Sequence, residues 1–103
     1  MANFLLLYHG GGMPETEEEG KKVMAAWGEW IKKVGDKMVD AGNPCSNVKT
    51  VSQSGEGEFS GDRVTGYSIV KADNMDEAVE FAKGVPLLAD GGSVDVYETF
   101  RAM

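Results

Sequence analysis

The sequence predicts a small α+β domain with the element order β-α-β-β-α-β, in which a four-stranded antiparallel sheet carries two helices on one face. The chain opens on an apolar strand, two stretches have helical apolar stripes, and strand-like runs fill the remaining positions of that order. With 103 residues, 42% of them hydrophobic and 26% charged, the chain has the size and composition of one folded domain spanning residues 1–103.

The first strand predicts a dimer. Residues 3–8 are apolar at nearly every position, whereas a strand with one face in water alternates apolar and polar residues. Burial on both faces is therefore expected. The helices cover one face, and a single domain of this size has no further layer for the other. We therefore expect a homodimer in which a second copy covers that face.

The first helix follows a glycine-rich turn at residues 10–14. Thr16 and Glu19 have the spacing of a capping box, and Pro14 suits the first turn of a helix. The apolar stripe of this helix consists of Val23, Trp27, Trp30, Ile31, Val34 and Met38. The pattern predicts a helix that ends at Gly42.

The remaining predicted elements are a strand at 48–53, a turn at 54–57, a strand at 64–72, a helix that begins after Asn74, and a last strand at 93–100. This order is that of the ferredoxin-like fold. The open sheet face of that fold is usually covered by face-to-face dimerisation, which also creates a barrel-like cavity where ligands bind.

Charge and cysteine content exclude several classes of partner. The net charge of −7, with scattered basic residues, argues against nucleic acid and against an anionic membrane surface. The single cysteine, Cys45, cannot form an internal disulfide or a multi-cysteine metal site. No signal-peptide pattern and no membrane-length apolar stretch are present, so a cytoplasmic location is expected.

Several segments resemble the YCII-related family, which includes the DGPF-type domains, and together they cover nearly the whole chain. They are residues 4–8, 27–44, 65–69, 75–78, 82–86 and 92–96. The resemblance implies a dimeric ferredoxin-like α/β barrel.

The sequence departs from that family at the proposed active site. YciI-like members carry a histidine on the first helix paired with an aspartate, but residues 23–39 contain no histidine here, and Trp30 or Ile31 falls near its place. The Asp-Gly-Pro-Phe signature is replaced by residues 59–63. The roles of the family's residues therefore cannot be carried over to this chain.

His9 is the first candidate for chemistry, because histidine exchanges protons near neutral pH and His9 is the only one in the chain. It lies at a strand end beside glycines. As a general acid or base it needs a partner, for which Asp62 or Tyr8 are candidates. The alternative is a partly exposed histidine without a role.

The candidate pocket residues have equally simple structural explanations. Trp27, Trp30 and Tyr67 either line a cavity or pack in the core. Asp62 and Arg63 either orient a polar substrate or form a solvated turn. No phosphate-binding loop motif, calcium loop or transition-metal spacing is present, so neither a cofactor nor a metal is predicted.

Two functions therefore remain open at the level of sequence. One is binding of a small organic molecule beside the sheet, with simple acid–base catalysis. The other is a non-catalytic dimerisation or regulatory module, since related domains occur beside sigma-factor-like regulators. The sequence does not decide whether the protein is an enzyme.

Overall fold

The computed structural model describes residues 1–11 and 15–102. Its helices and strands are β1 (Ala2–His9), α1 (Glu17–Val34), β2 (Met38–Asp40), β3 (Thr50–Ser52), β4 (Gly55–Gly57), β5 (Val64–Ala72), α2 (Met75–Ala82) and β6 (Ser93–Glu98). Two short 3₁₀ helices, at Gly35–Lys37 and Pro86–Asp90, lie between them. None of the helices in these ranges is long and apolar enough to span a membrane.

The main sheet has four strands in the order β2-β5-β1-β6, and each neighbouring pair is antiparallel. The longest strands, β1 and β5, occupy its centre. Both helices pack on one face of this sheet. The α+β, ferredoxin-like prediction is therefore confirmed.

The core lies between the sheet and the helices. Phe4 and Leu6 of β1 and Val70 of β5 are fully buried there. Trp30 of α1 and Ala78 of α2 close the cluster from the helix side. Residues two apart on a strand lie on the same face of the sheet, so every second residue of β1 and β5 contributes to this core.

The N-terminus of α1 confirms the predicted cap, since the Thr16 hydroxyl accepts a hydrogen bond from the backbone N–H of Glu19 at 3.1 Å. Glu19 accepts in turn from the backbone N–H of Glu15 at 3.0 Å, one residue before the position that a capping box uses. The role predicted for Pro14 and most of the glycine-rich turn lie outside the described residues.

The predicted end of α1 at Gly42 is wrong. The helix stops at Val34, because Gly35 has a φ of 67° and its N–H bonds back to the carbonyl of Ile31. The chain then makes a single 3₁₀ turn, and Met38, predicted on the helical stripe, lies on β2. Met38 still packs against the core, which explains why its spacing fitted the stripe.

The prediction that residues 48–53 form a strand of the main sheet is also wrong. The edge of the main sheet next to β5 is formed by β2. β3 pairs only with β4, and β4 lies in the segment 54–57 that was predicted to be a turn. Residues 46–61, which we call the arm, contain this hairpin, and every residue in the arm is exposed. The arm therefore has no core of its own.

The sheet face away from the helices, which we call the open face, is mostly apolar. Leu5, Leu7, Tyr67 and Ile69 are half-buried there, and Tyr97 is 53% exposed. The molecule measures 44 × 38 × 18 Å, and its short dimension corresponds to one helix layer on one sheet. Within the described residues, no layer covers the open face.

Candidate functional site

His9 lies on the open face because it follows Leu5 and Leu7 in the alternation of β1, and a β-bulge in β5 lies beside it. Tyr8 pairs with Gly66 of β5, but His9 pairs with Val64, so Thr65 is the extra residue. The Thr65 hydroxyl lies 3.3 Å from the Tyr8 carbonyl and 3.2 Å from the Gly10 carbonyl, which stabilises the bulge. On the other side of β1 the pairing with β6 stays regular.

His9 and Asp95 form the polar centre of this region. Asp95 pairs with Leu7 across β1 and β6, so it shares the open face with His9 and stands diagonal to it. The distance from His9 Nε2 to Asp95 Oδ2 is 2.8 Å. The histidine side chain is only 10% exposed, whereas that of Asp95 is 56% exposed.

The close approach of β6 to His9 depends on Gly92. A Cβ atom at this position would lie 2.8 Å from the His9 carbonyl oxygen and would also overlap the side chain of Leu87. Any larger residue there would displace the strand that carries Asp95.

The second ring nitrogen of His9 faces the segment that joins the arm to β5. Nδ1 lies 3.2 Å from the backbone carbonyl oxygen of Arg63. The carboxylate of Asp62 is further away, at 3.9 Å from the same nitrogen. Asp62, one of the two partners proposed from sequence, is therefore a neighbour of His9 but not its hydrogen-bonding partner, and Arg63 contributes its carbonyl group.

Tyr8, the other proposed partner, lies on the helix-covered face. Its hydroxyl donates to Ser68 Oγ at 2.6 Å, and Ser68 donates to the Ala41 carbonyl at 2.8 Å. Burial raises the pKa of Tyr8 to about 12, although the hydrogen bond with Ser68 lowers it. Tyr8 is thus kept neutral and is separated from His9 by the sheet.

The two tryptophans also belong to the helix-covered face. Trp27 meets the Tyr8 ring edge to face with centroids 5.2 Å apart, and Trp30 donates from Nε1 to the Phe81 carbonyl at 2.8 Å. Tyr67 stands on the open face, directly opposite Leu7. Of the residues proposed to line a pocket, Tyr67 and Arg63 therefore lie on the side of His9, while Tyr8, Trp27 and Trp30 do not.

Sequence reasoning missed Asp95, which is 86 residues from His9 in the chain. A signal was nevertheless present, because Asp95 is a carboxylate between two valines in the last strand. In the β-α-β-β-α-β order this strand lies next to the first one. Pairing the two strands in register would have placed Asp95 beside His9.

His9 does not belong to a metal-binding cluster within the described residues. No group of three or more His, Cys, Asp or Glu side chains there could hold a metal ion. An open groove of about 390 Å³ runs between α2 and the edge strand β6, lined by Met75, Val79, Leu88, Val94, Asp95 and Val96. Asp95 thus borders the edge groove as well as the open face.

The fold and site together define a ferredoxin-like α+β domain with a His–Asp pair on its open sheet face. No family model and no curated protein sequence matches the chain. Among solved structures it is similar to 5-chloro-2-hydroxyhydroquinone dehydrochlorinase from Burkholderia phenoliruptrix in complex with 2,5-dihydroxybenzoquinone, with a TM-score of 0.57 and 20% identity over 96% of this chain and 93% of that one. At this identity the similarity supports the fold alone.

Proposed function

We propose that two copies of the chain pack through their open faces and that the cavity between them binds a small organic molecule, on which the His9–Asp95 pair performs a simple acid–base reaction. The observation that carries this proposal is the 2.8 Å hydrogen bond between His9 and Asp95 on a mostly apolar face. The resemblance of the sequence to the YCII-related family supports the dimer, since it implies a dimeric ferredoxin-like barrel.

The dimer is supported by the apolar character of the open face. Leu5, Leu7 and Ile69 form one patch on the two central strands, with Tyr67 and Tyr97 beside them. A stable interface buries about 600–1,000 Å² on each partner, which is the scale of one face of a small sheet. A second copy over the open face would also enclose a ligand at His9, since no layer covers this face within the described residues.

The class of ligand is suggested by the surroundings of the pair and by the structural neighbour. Aromatic side chains of Tyr67 and Tyr97 flank a polar pair on an apolar surface, as in sites for flat molecules with a few polar groups. The neighbouring enzyme was solved with 2,5-dihydroxybenzoquinone, a hydroxylated ring. We therefore propose a hydroxylated aromatic ligand.

The oligomeric state tests the first part of the proposal. Light scattering of the wild-type protein at micromolar concentration should give twice the chain mass. The double variant Leu5→Lys/Ile69→Lys should be monomeric, whereas Val51→Lys, on the arm at a site that is 78% exposed, should remain dimeric. A wild-type monomer at these concentrations would contradict the dimer.

Binding of hydroxylated rings tests the second part. A thermal-shift and NMR titration series of hydroxylated benzenes should perturb residues of the open face in the wild-type protein. His9→Ala should weaken this binding, and Lys49→Ala, at an exposed arm position, should not. If His9→Ala leaves binding and any turnover unchanged, His9 has no part in the function.

A non-catalytic dimerisation module is the second candidate. It is favoured by one observation, namely that Leu5, Leu7, Ile69 and Tyr97 present apolar side chains on the open face. A dimer structure with a dry, filled interface and no space at His9 would support the module. A polar cavity that reaches the His9–Asp95 pair would support the ligand-binding protein.

A further inference from the structure

We infer that Asp95, and not His9, is the residue that touches the ligand, and that the ligand presents a hydroxyl or ammonium hydrogen to the Asp95 carboxylate. His9 is then a positioning residue, which holds the Asp95 carboxylate through the hydrogen bond from Nε2 to Oδ2. The inference rests on the proposed small-molecule site and specifies which member of the pair meets the ligand.

Both ring nitrogens of His9 face acceptor oxygens of the protein. A carboxylate only accepts hydrogen bonds, so Nε2 donates its proton to Asp95 at 2.8 Å and has no lone pair to offer. Nδ1 lies 3.2 Å from the Arg63 carbonyl oxygen, which blocks the approach of a ligand to this nitrogen. A ligand could therefore reach either ring nitrogen only by displacing one of these contacts.

Exposure favours Asp95 as the contact residue. Its side chain is 56% exposed, compared with 10% for His9. Only Oδ2 is engaged by the histidine, and Oδ1 makes no hydrogen bond to the described residues. Asp95 itself lies on the open face, where Leu7 is directly opposite it.

The chemistry of that oxygen selects the ligand group. An ionised carboxylate accepts hydrogen bonds and donates none, so its natural partner is an O–H or N–H group. The second carboxylate of the region, Asp62, lies on the other side of the His9 ring. Its negative charge, like that of Asp95, disfavours an anionic ligand group at this place.

Catechol and its dimethyl ether, 1,2-dimethoxybenzene, provide a matched test, because the two rings differ in whether they can donate a hydrogen bond. In NMR titrations the wild-type protein should bind catechol about tenfold more tightly than the ether, the effect expected of one hydrogen bond to a charged acceptor. Asp62→Asn is the control and should keep this preference, since Asp62 is 87% exposed and makes no hydrogen bond to His9.

Asp95→Asn should remove or invert the preference. Its amide oxygen would accept from His9 Nε2, which turns the amide NH₂ toward the ligand and replaces an acceptor by a donor. The substitution is isosteric, so the fold should persist. His9→Gln should keep the preference for catechol, because a glutamine amide still donates to Asp95, whereas His9→Ala should weaken it.

The outcomes distinguish failure of the proposed ligand-binding function from failure of the assignment of Asp95 as the contact residue. If neither compound binds the wild-type protein, the hydroxylated-ring function fails and this inference fails with it. If catechol binds but Asp95→Asn keeps the preference for it, or His9→Gln loses as much affinity as His9→Ala, then His9 itself contacts the ligand. In that case only the assignment of Asp95 is overturned.

Discussion

Leu5 and Leu6 are neighbours on β1, yet Leu6 is fully buried under the helices while Leu5 keeps part of its surface exposed on the open face. The same alternation runs along β5, where Val70 is buried and Ile69 is half-buried. One strand register therefore determines both faces at once. The helix-covered face is complete within one chain, whereas the apolar side chains of the open face stay partly exposed among the described residues.

The polar groups of the two faces differ in the same way. On the helix-covered face, Tyr8 and Ser68 form a chain that ends at a backbone carbonyl, and both residues are buried. On the open face, the contact between His9 and Asp95 leaves one carboxylate oxygen without a hydrogen bond to the described residues, on a side chain that is 56% exposed. A closed network stabilises a core, whereas an incomplete one on an accessible surface is suited to a ligand.

The largest expected effect comes from truncating the two leucines separately. Leu6→Ala should lower the free energy of unfolding by about 2–5 kcal/mol, because it leaves a cavity in a close-packed core. Leu5→Ala should cost less than about 1 kcal/mol in the same urea titration at low protein concentration. Its main effect should be weaker dimerisation. Equal losses of stability would show that the two faces are buried alike in the single chain.

The next effect concerns pH. Tyr8 has a folded-state pKa of about 12, above its ordinary value of 10.0. The stability it contributes is therefore fully present below pH 10 and is lost as the pH rises toward 12, by about 1–2 kcal/mol. Urea titrations across this range should show a flatter decline in Tyr8→Phe than in the wild-type protein.

Tyr97→Phe is the matched control for that measurement, because Tyr97 is on the open face and 53% exposed. Its stability should fall with pH as steeply as that of the wild-type protein. A flattening of the same size in both variants would contradict the assignment of the pH dependence to the buried phenol.

The smallest effect should come from the β-bulge at Thr65, next to His9. Thr65→Val removes the hydroxyl that holds the carbonyls of Tyr8 and Gly10, at a cost of about 1 kcal/mol. The NMR signals of the His9 ring should also shift. Thr50→Val, on the exposed arm, should change neither stability nor these signals. An unchanged His9 ring in Thr65→Val would show that the bulge does not orient it.

The positions of helices and strands could be predicted from the sequence where a clear apolar pattern is bounded by a local capping or turn residue. The strand at 64–72 and the helix capped by Asn74 occur where their patterns predict them. The sequence was insufficient where two signals compete, as at the end of α1. The apolar spacing there continues to Met38, but the left-handed backbone at Gly35 ends the helix first. The edge strand β2 was missed as a direct consequence.

The candidate site was predicted only in part because its contacts are between distant segments. The apolar strand and its terminal histidine were evident, but the partner of His9 depends on the pairing of β1 with β6. The position of the tryptophans depends on which face the helices cover. Both are properties of the tertiary arrangement, and neither can be deduced from residue types within one segment.

The arm has a practical consequence, because none of its residues is buried. Extending an exposed loop costs little conformational entropy, roughly 0.6 kcal/mol for each doubling of its length. The β3–β4 turn is therefore a suitable graft point for a fluorophore tag or a short affinity epitope. Such a label would report on the molecule while leaving both faces of the sheet chemically untouched.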